Sequence, residues 1–110
     1  AVSALMKDYQ QALKYYRLAD ELKPDDPRLA FNMALALEHL GRIDEAIKWY
    51  TTALRFNRKD ATAHNRLGLL LMKTGERNQA RGHFQQALQL KPDLDDARQN
   101  LDALQAAPSN

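Results

Sequence analysis

Gly41-Arg42-Ile43-Asp44-Glu45-Ala46-Ile47-Lys48-Trp49-Tyr50-Thr51-Thr52-Ala53-Leu54 is answered 34 residues later, where Gly41, Ala46, Tyr50 and Ala53 return as Gly75, Ala80, Phe84 and Ala87. Ala12, Tyr16 and Ala19 stand one period earlier still. Spacings of four and three residues put the small and aromatic side chains of each copy on one helical face. A fixed period of about 34 residues marks a helix–turn–helix unit that cannot bury its own apolar face and must stack on its neighbours. The chain therefore reads as all-α, a stack of antiparallel helix pairs.

Bulk properties narrow the function classes. At 110 residues the chain has the length of one domain, and its 45% apolar content suits a folded protein. No stretch reaches the ~18 apolar residues a membrane span needs. With no cysteine there is no disulfide framework, thiolate metal site or cysteine nucleophile. The compartment stays open between cytoplasm, which is preferred, and periplasm. Sixteen basic and fourteen acidic side chains leave a net charge of +2, too small to imply nucleic acid.

Working outward from the quoted stretch, Pro24-Asp25-Asp26-Pro27 ends one helix and starts another: Asp26 suits the cap and Pro27 the first helical position. The spacing predicts a helix over 28–40 with Met33, Ala34 and Leu37 inward, then a stop at Gly41, since glycine takes the left-handed conformation without a Cβ penalty. A second helix follows over 44–56 with Ala46, Ile47, Tyr50, Ala53 and Leu54 inward, so 27–60 is a full repeat. Residues 61–94 copy it, with Asp60 as cap, Leu67, Gly68 and Leu71 in a helix over 61–74, a stop at Gly75 and a helix over 78–90. Small residues at Ala34, Gly68, Ala46, Ala80, Ala53 and Ala87 mark close helix crossings.

Lys91-Pro92-Asp93 breaks the chain again, and 95–105 reads as a capping helix with Ala97, Leu101 and Leu104 inward and a polar outer face. Residues 106–110 are expected to fray. Lys7 stands one period before Gly41, so 1–26 reads as a partial repeat: a truncated first helix over 1–6 and a second helix over 8–22. Such an end points to a longer array or to a surface that covers Tyr9, Leu13 and Tyr16, the candidate contacts of a homo-oligomer.

These small residues, the aromatic and the closing Pro24 and Pro92 resemble the tetratricopeptide repeat family, over nearly the whole chain. Departures are Arg58 where the pattern has proline, Arg77 and Arg81 for the apolar Ile43 and Ile47, and Asp20 for Leu54 and Leu88. The related 35-residue RNA-binding repeats fit less well, because no gap accumulates against a period of about 34. The resemblance implies a right-handed superhelix whose first helices line a concave groove that binds a segment of a partner protein.

On that architecture the groove residues are Arg28, Phe31, Asn32, Leu35, Glu38 and His39, then Thr62, Asn65, Arg66, Leu69, Met72 and Lys73, then Asp96, Gln99 and Asn100. Asn32, Arg66 and Asn100 lie one period apart and form an expected ladder of amides and a guanidinium for a peptide backbone or carboxylate. Co-chaperones of the family hold a C-terminal carboxylate with lysines, asparagines and an arginine. Asn32 and Arg66 match two such positions, but Thr62 stands where that clamp has lysine. Trp49, with Tyr15 and His83 as its equivalents, reads as packing between repeats.

No enzyme signature is present: there is no His-Glu-x-x-His, no phosphate-cradling glycine loop and no serine elbow. No cofactor is expected. His39, His64 and His83 lack ligand spacing and read as surface or half-buried side chains. Arg55, Arg58, Lys59, Arg66, Lys73, Arg77 and Arg81 outweigh Asp60 and Glu76, while Asp93, Asp95, Asp96 and Asp102 gather near the end, an asymmetry suited to an acidic partner or to head-to-tail stacking. Nucleic acid would require aromatics among those basic residues. The expectation is a non-catalytic protein-interaction module, with self-assembly or the targeting array of a larger enzyme as alternatives.

Overall fold

The turn chemistry delivers the helix order. The computed structural model describes residues 2–106, which form α1 (Val2–Leu22), α2 (Pro27–His39), α3 (Ile43–Phe56), α4 (Ala61–Lys73), α5 (Arg77–Leu90) and α6 (Asp95–Ala106). The fraying expected over 106–110 lies, beyond Ala106, outside the described residues. Asp26 caps α2, its carboxylate accepting from the Arg28 amide at 3.0 Å, and Asp60 caps α4 by accepting from the Ala63 amide at 3.0 Å. Gly41 and Gly75 take φ of 78° and 86°, the left-handed geometry that lets each pair reverse. Asp25 also has a positive φ, 68°, which aspartate tolerates better than most residues. No helix among the described residues is long and apolar enough to cross a membrane.

The first expectation to fail is the break near Lys7. α1 runs unbroken through it. Gly41 and Gly75 stop their helices because a glycine is there, whereas Lys7, Asp8 and their neighbours include neither glycine nor proline, so nothing interrupts the backbone ladder. The truncated helix over 1–6 is not a separate element.

The chain divides into two compact units, Ala1–Arg58 and Lys59–Asn110. In the first, α2 packs along α3 and α1 lies against α2. Met33, Ala34, Leu37, Ala46, Tyr50 and Ala53 are each 2% exposed or less, so the inner faces read from the sequence form its core. Leu13 is also buried, at 3% exposure, and Tyr9 and Tyr16 are half-buried. Leu13 is thus covered within its own chain, because α2 lies over that side of α1. Among the described residues, the large apolar side chains that α1 exposes are Leu5, Met6, Tyr15, Leu18 and Leu22.

In the second unit α4 packs along α5, and α6 lies against α5 and touches α4. Leu67, Ala80, Phe84, Ala87, Ala97 and Leu104 make its core. Gly68 is there for space: a Cβ on it would sit 2.6 Å from Cε1 of Phe84, closer than real contacts allow. Arg77 Nη2 donates to the Leu104 carbonyl at 2.8 Å, satisfying one of the open carbonyls at the end of α6. The Arg77 that departs from the apolar repeat pattern therefore fastens the capping helix.

Candidate functional site

The first helix of each pair buries one face and leaves the other to solvent. On α2, Arg28, Asn32 and His39 are exposed, while Phe31, Leu35 and Glu38 are half-buried. Helical spacing sets Arg28, Asn32 and Leu35 in one stripe, a guanidinium and an amide beside an aliphatic side chain. The remaining groove candidates of this unit are tied to their own chain. Phe31 meets Tyr50 edge-on with centroids 5.5 Å apart, and the Tyr50 hydroxyl donates to Glu38 Oε1 at 2.6 Å. His39 stacks flat on Tyr9, centroids 4.5 Å apart and planes 10° from parallel. Tyr9, a candidate for self-association, is thus engaged by His39, a candidate for partner binding.

In the second unit Thr62, Lys73, Asp96 and Gln99 are exposed and Arg66, Leu69, Met72 and Asn100 half-buried. Asn65 is only 7% exposed, and its Oδ1 accepts from Asn100 Nδ2 at 2.9 Å. The expected ladder set Asn100 in series with Arg66; the structure joins it to Asn65, one position earlier. Asn100 keeps its amide oxygen and second N–H for another partner, enough to bracket a peptide group. Of the basic stretch, Arg77 and Arg81 are spent internally, Arg81 Nη1 donating to Asn78 Oδ1 at 3.1 Å.

The histidines hold what the sequence reading missed. His64 is 5% exposed, and its Nδ1 lies 3.0 Å from Nδ1 of half-buried His83. One of these facing nitrogens carries a hydrogen and the other accepts it. The clue was in the register: one period earlier the same positions are Ala30 and Trp49, which line one small cavity in the first unit. A small-plus-large pair has become two medium polar rings. Among the described residues no three His, Asp or Glu side chains gather to hold a metal.

Burial first, and His64 second, hold the His83 imidazole below the ordinary histidine range. Well above about pH 6.5 His83 is neutral whether folded or unfolded. As pH falls from there toward the lower folded value, the unfolded chain binds more protons and stability is lost. Urea midpoints measured from about pH 7.5 down to 5 are expected to fall on the acid side. His64→Ala with His83→Trp, which imports the first repeat's pair, is expected to flatten that fall; an unchanged slope would contradict the assignment.

Known proteins match this chain along most of its length. Tetratricopeptide repeat family models match residues 3–26 and 61–94, and one described as TPR repeat matches 39–75. The TPR repeat-containing thioredoxin TTL4 of Arabidopsis thaliana is 39% identical over 77 residues, which are 70% of this chain and 11% of that protein. The chain thus spans about a tenth of that relative. Among solved structures, the first TPR of Spaghetti (RPAP3) bound to the HSP90 peptide SRMEEVD superposes with a TM-score of 0.85 at 23% identity, covering 90% of this chain and 79% of that one. The second TPR domain of human RPAP3, in complex with the HSP70 peptide SGPTIEEVD, gives 0.84 at 23% identity, covering 96% and 90%. Period, turn glycines, helix order and these matches agree, and the chain belongs to the tetratricopeptide repeat family.

Proposed function

We propose that the chain is a non-catalytic protein-interaction module in which each unit presents the outer face of its first helix, α2 or α4, to a short partner segment of acidic or carboxylate character. The observation that carries this reading is the stripe on α2 of the exposed Arg28 and Asn32 beside half-buried Leu35, with half-buried Arg66 and Leu69 in the same register on α4. A guanidinium can accept a carboxylate in two parallel hydrogen bonds, an asparagine can pair with a peptide group, and leucines supply apolar contact. Two proteins of like fold carry peptides ending in Glu-Glu-Val-Asp, which supports an acidic segment as the ligand class. Thr62 stands where the family's carboxylate clamp has lysine, so affinity for such a peptide is expected to rest more on Arg28 and Arg66.

The test is Asn32→Ala combined with Arg66→Ala, titrated with SRMEEVD by fluorescence polarisation while far-ultraviolet circular dichroism reports folding. Each lost charge-assisted or amide hydrogen bond is worth about 1–3 kcal/mol, so affinity should fall at least tenfold. Equal affinity in a folded double variant would sink the reading. A second reading, an interaction array within a larger protein that supplies its own chemistry, is favoured by the 11% share of TTL4 that the chain spans.

A further inference from the structure

Lys7, Gln10, Lys14 and Arg17 follow one another along α1 at intervals of three and four residues, so they share one helical face. With Gln11, and with Arg42 at the start of α3, they wall a cleft of about 300 Å³, the size of a small ligand site. All six side chains are exposed. Their counterparts on the other second helices are exposed too: Asp44, Lys48 and Thr51 on α3, Asn78 and Gln85 on α5. This is the outer face of a second helix, open to solvent even where α2 and α4 cover the opposite side. The charge, however, is peculiar to α1. Where α1 has Lys7, Gln10, Lys14 and Arg17, the next copies have Gly41, Asp44, Lys48 and Thr51, then Gly75, Asn78, Gly82 and Gln85, so stacking asks for no such cluster.

Four cations around one cleft repel one another and attract an anion. Glu45 answers only one of them. Its carboxylate accepts from Nε and Nη2 of Arg42, the second at 2.9 Å. That hydrogen bonding above all, with the charges of Arg42, Arg17 and Lys48, holds the Glu45 carboxyl below the ordinary glutamate range. Among the described residues Lys7, Lys14 and Arg17 make no ion pair. The cleft keeps three cations and two glutamine amides for a further anion.

We propose that this cleft binds a phosphate monoester carried on a side chain of a partner protein, at a site separate from the first-helix faces. A phosphate monoester brings close to two negative charges and three acceptor oxygens in one compact group. Two ammonium groups, a guanidinium fork and two amides match it, whereas a single carboxylate would leave most of these donors idle. A nucleic-acid strand needs basic surface that runs on. Here Asp8 stands beside Lys7, Glu21 takes the next turn of the stripe and Glu45 holds Arg42, so the cations end where the cleft does. Among the described residues no aromatic side chain lines the cleft to stack on a base. The bordering carboxylates suit a carrier segment with basic residues beside the phosphorylated one.

The probe is the acetylated, amidated peptide Gly-Arg-Arg-phosphoserine-Gly-Gly, whose arginines offset the phosphate so that binding does not follow from net charge. Titrated into the isotope-labelled full chain, it is expected to give saturable amide shifts over residues 7–17 and at Arg42. The unphosphorylated peptide, its glutamate analogue and inorganic phosphate should each bind at least about tenfold more weakly. Lys14→Glu with Arg17→Glu alters exposed side chains and should cost a like factor at unchanged thermal stability. Glu45→Gln is the sharper variant: it releases Arg42 and removes a competing charge, so affinity should rise about two- to fivefold. Equal binding of the glutamate peptide or of inorganic phosphate would overturn the proposal, as would shifts centred on α2 or α4. So would undiminished affinity in the Lys14 and Arg17 double variant, or no gain in Glu45→Gln.

Discussion

Phe84→Ala is expected to destabilise the second unit by about 3–5 kcal/mol, because a fully buried ring leaves a cavity its neighbours fill only in part. The partner change is more telling. Gly68→Ala normally favours a helix by up to about 1 kcal/mol. Here the new Cβ meets ring atoms of Phe84 at 2.6, 2.8 and 3.0 Å, and the ring, fully buried, has nowhere to move. Overpacking of about 1–3 kcal/mol outweighs the propensity gain. Once Phe84 is alanine the obstacle is gone and the same change should stabilise. A urea-unfolding cycle is expected to show the sign of Gly68→Ala reverse between backgrounds; equal costs in both would show that the helices are not held at this crossing.

The second large effect concerns Tyr50 and Glu38. The Tyr50 hydroxyl, on a fully buried side chain, donates to the Glu38 carboxylate at 2.6 Å. One period later both polar groups are gone: Tyr50 becomes Phe84 and Glu38 becomes Met72. The two repeats hold alternative solutions to one contact. Tyr50→Phe or Glu38→Met alone is expected to cost about 1–3 kcal/mol, the worth of a hydrogen bond to a charged group. The double change, which imports the second repeat's pair, should cost much less than the sum of the singles. Strict additivity in chemical denaturation would mean that the bond contributes nothing.

How much of this was legible beforehand depended on the kind of signal. The period, the caps at Asp26 and Asp60 and the stops at Gly41 and Gly75 are local backbone chemistry, and they carried the all-α repeat fold. α1 was misread because periodicity was extended to a place where the residue that breaks the helix is absent; Lys7 has none of glycine's backbone freedom. The stripe of Arg28, Asn32 and Leu35 follows from helical spacing. What the site residues touch does not follow from it: Glu38 bonding Tyr50, His39 stacking on Tyr9 and Asn100 meeting Asn65 all depend on packing between helices. The His64–His83 pair lay in the repeat register but required comparing what fills two facing positions, Ala30 with Trp49 against histidine with histidine.

The central claim, that the exposed first-helix faces bind a partner segment, is tested most directly by amide chemical-shift mapping. The isotope-labelled chain would be titrated with a short acidic peptide bearing a free C-terminal carboxylate, at low and then at high salt. The account predicts saturable shifts centred on Arg28, Asn32 and Leu35 in α2 and on Arg66 and Leu69 in α4, weakened by salt as charge screening requires. Shifts confined to the second helices α3 and α5, or no saturable shifts at all, would contradict it.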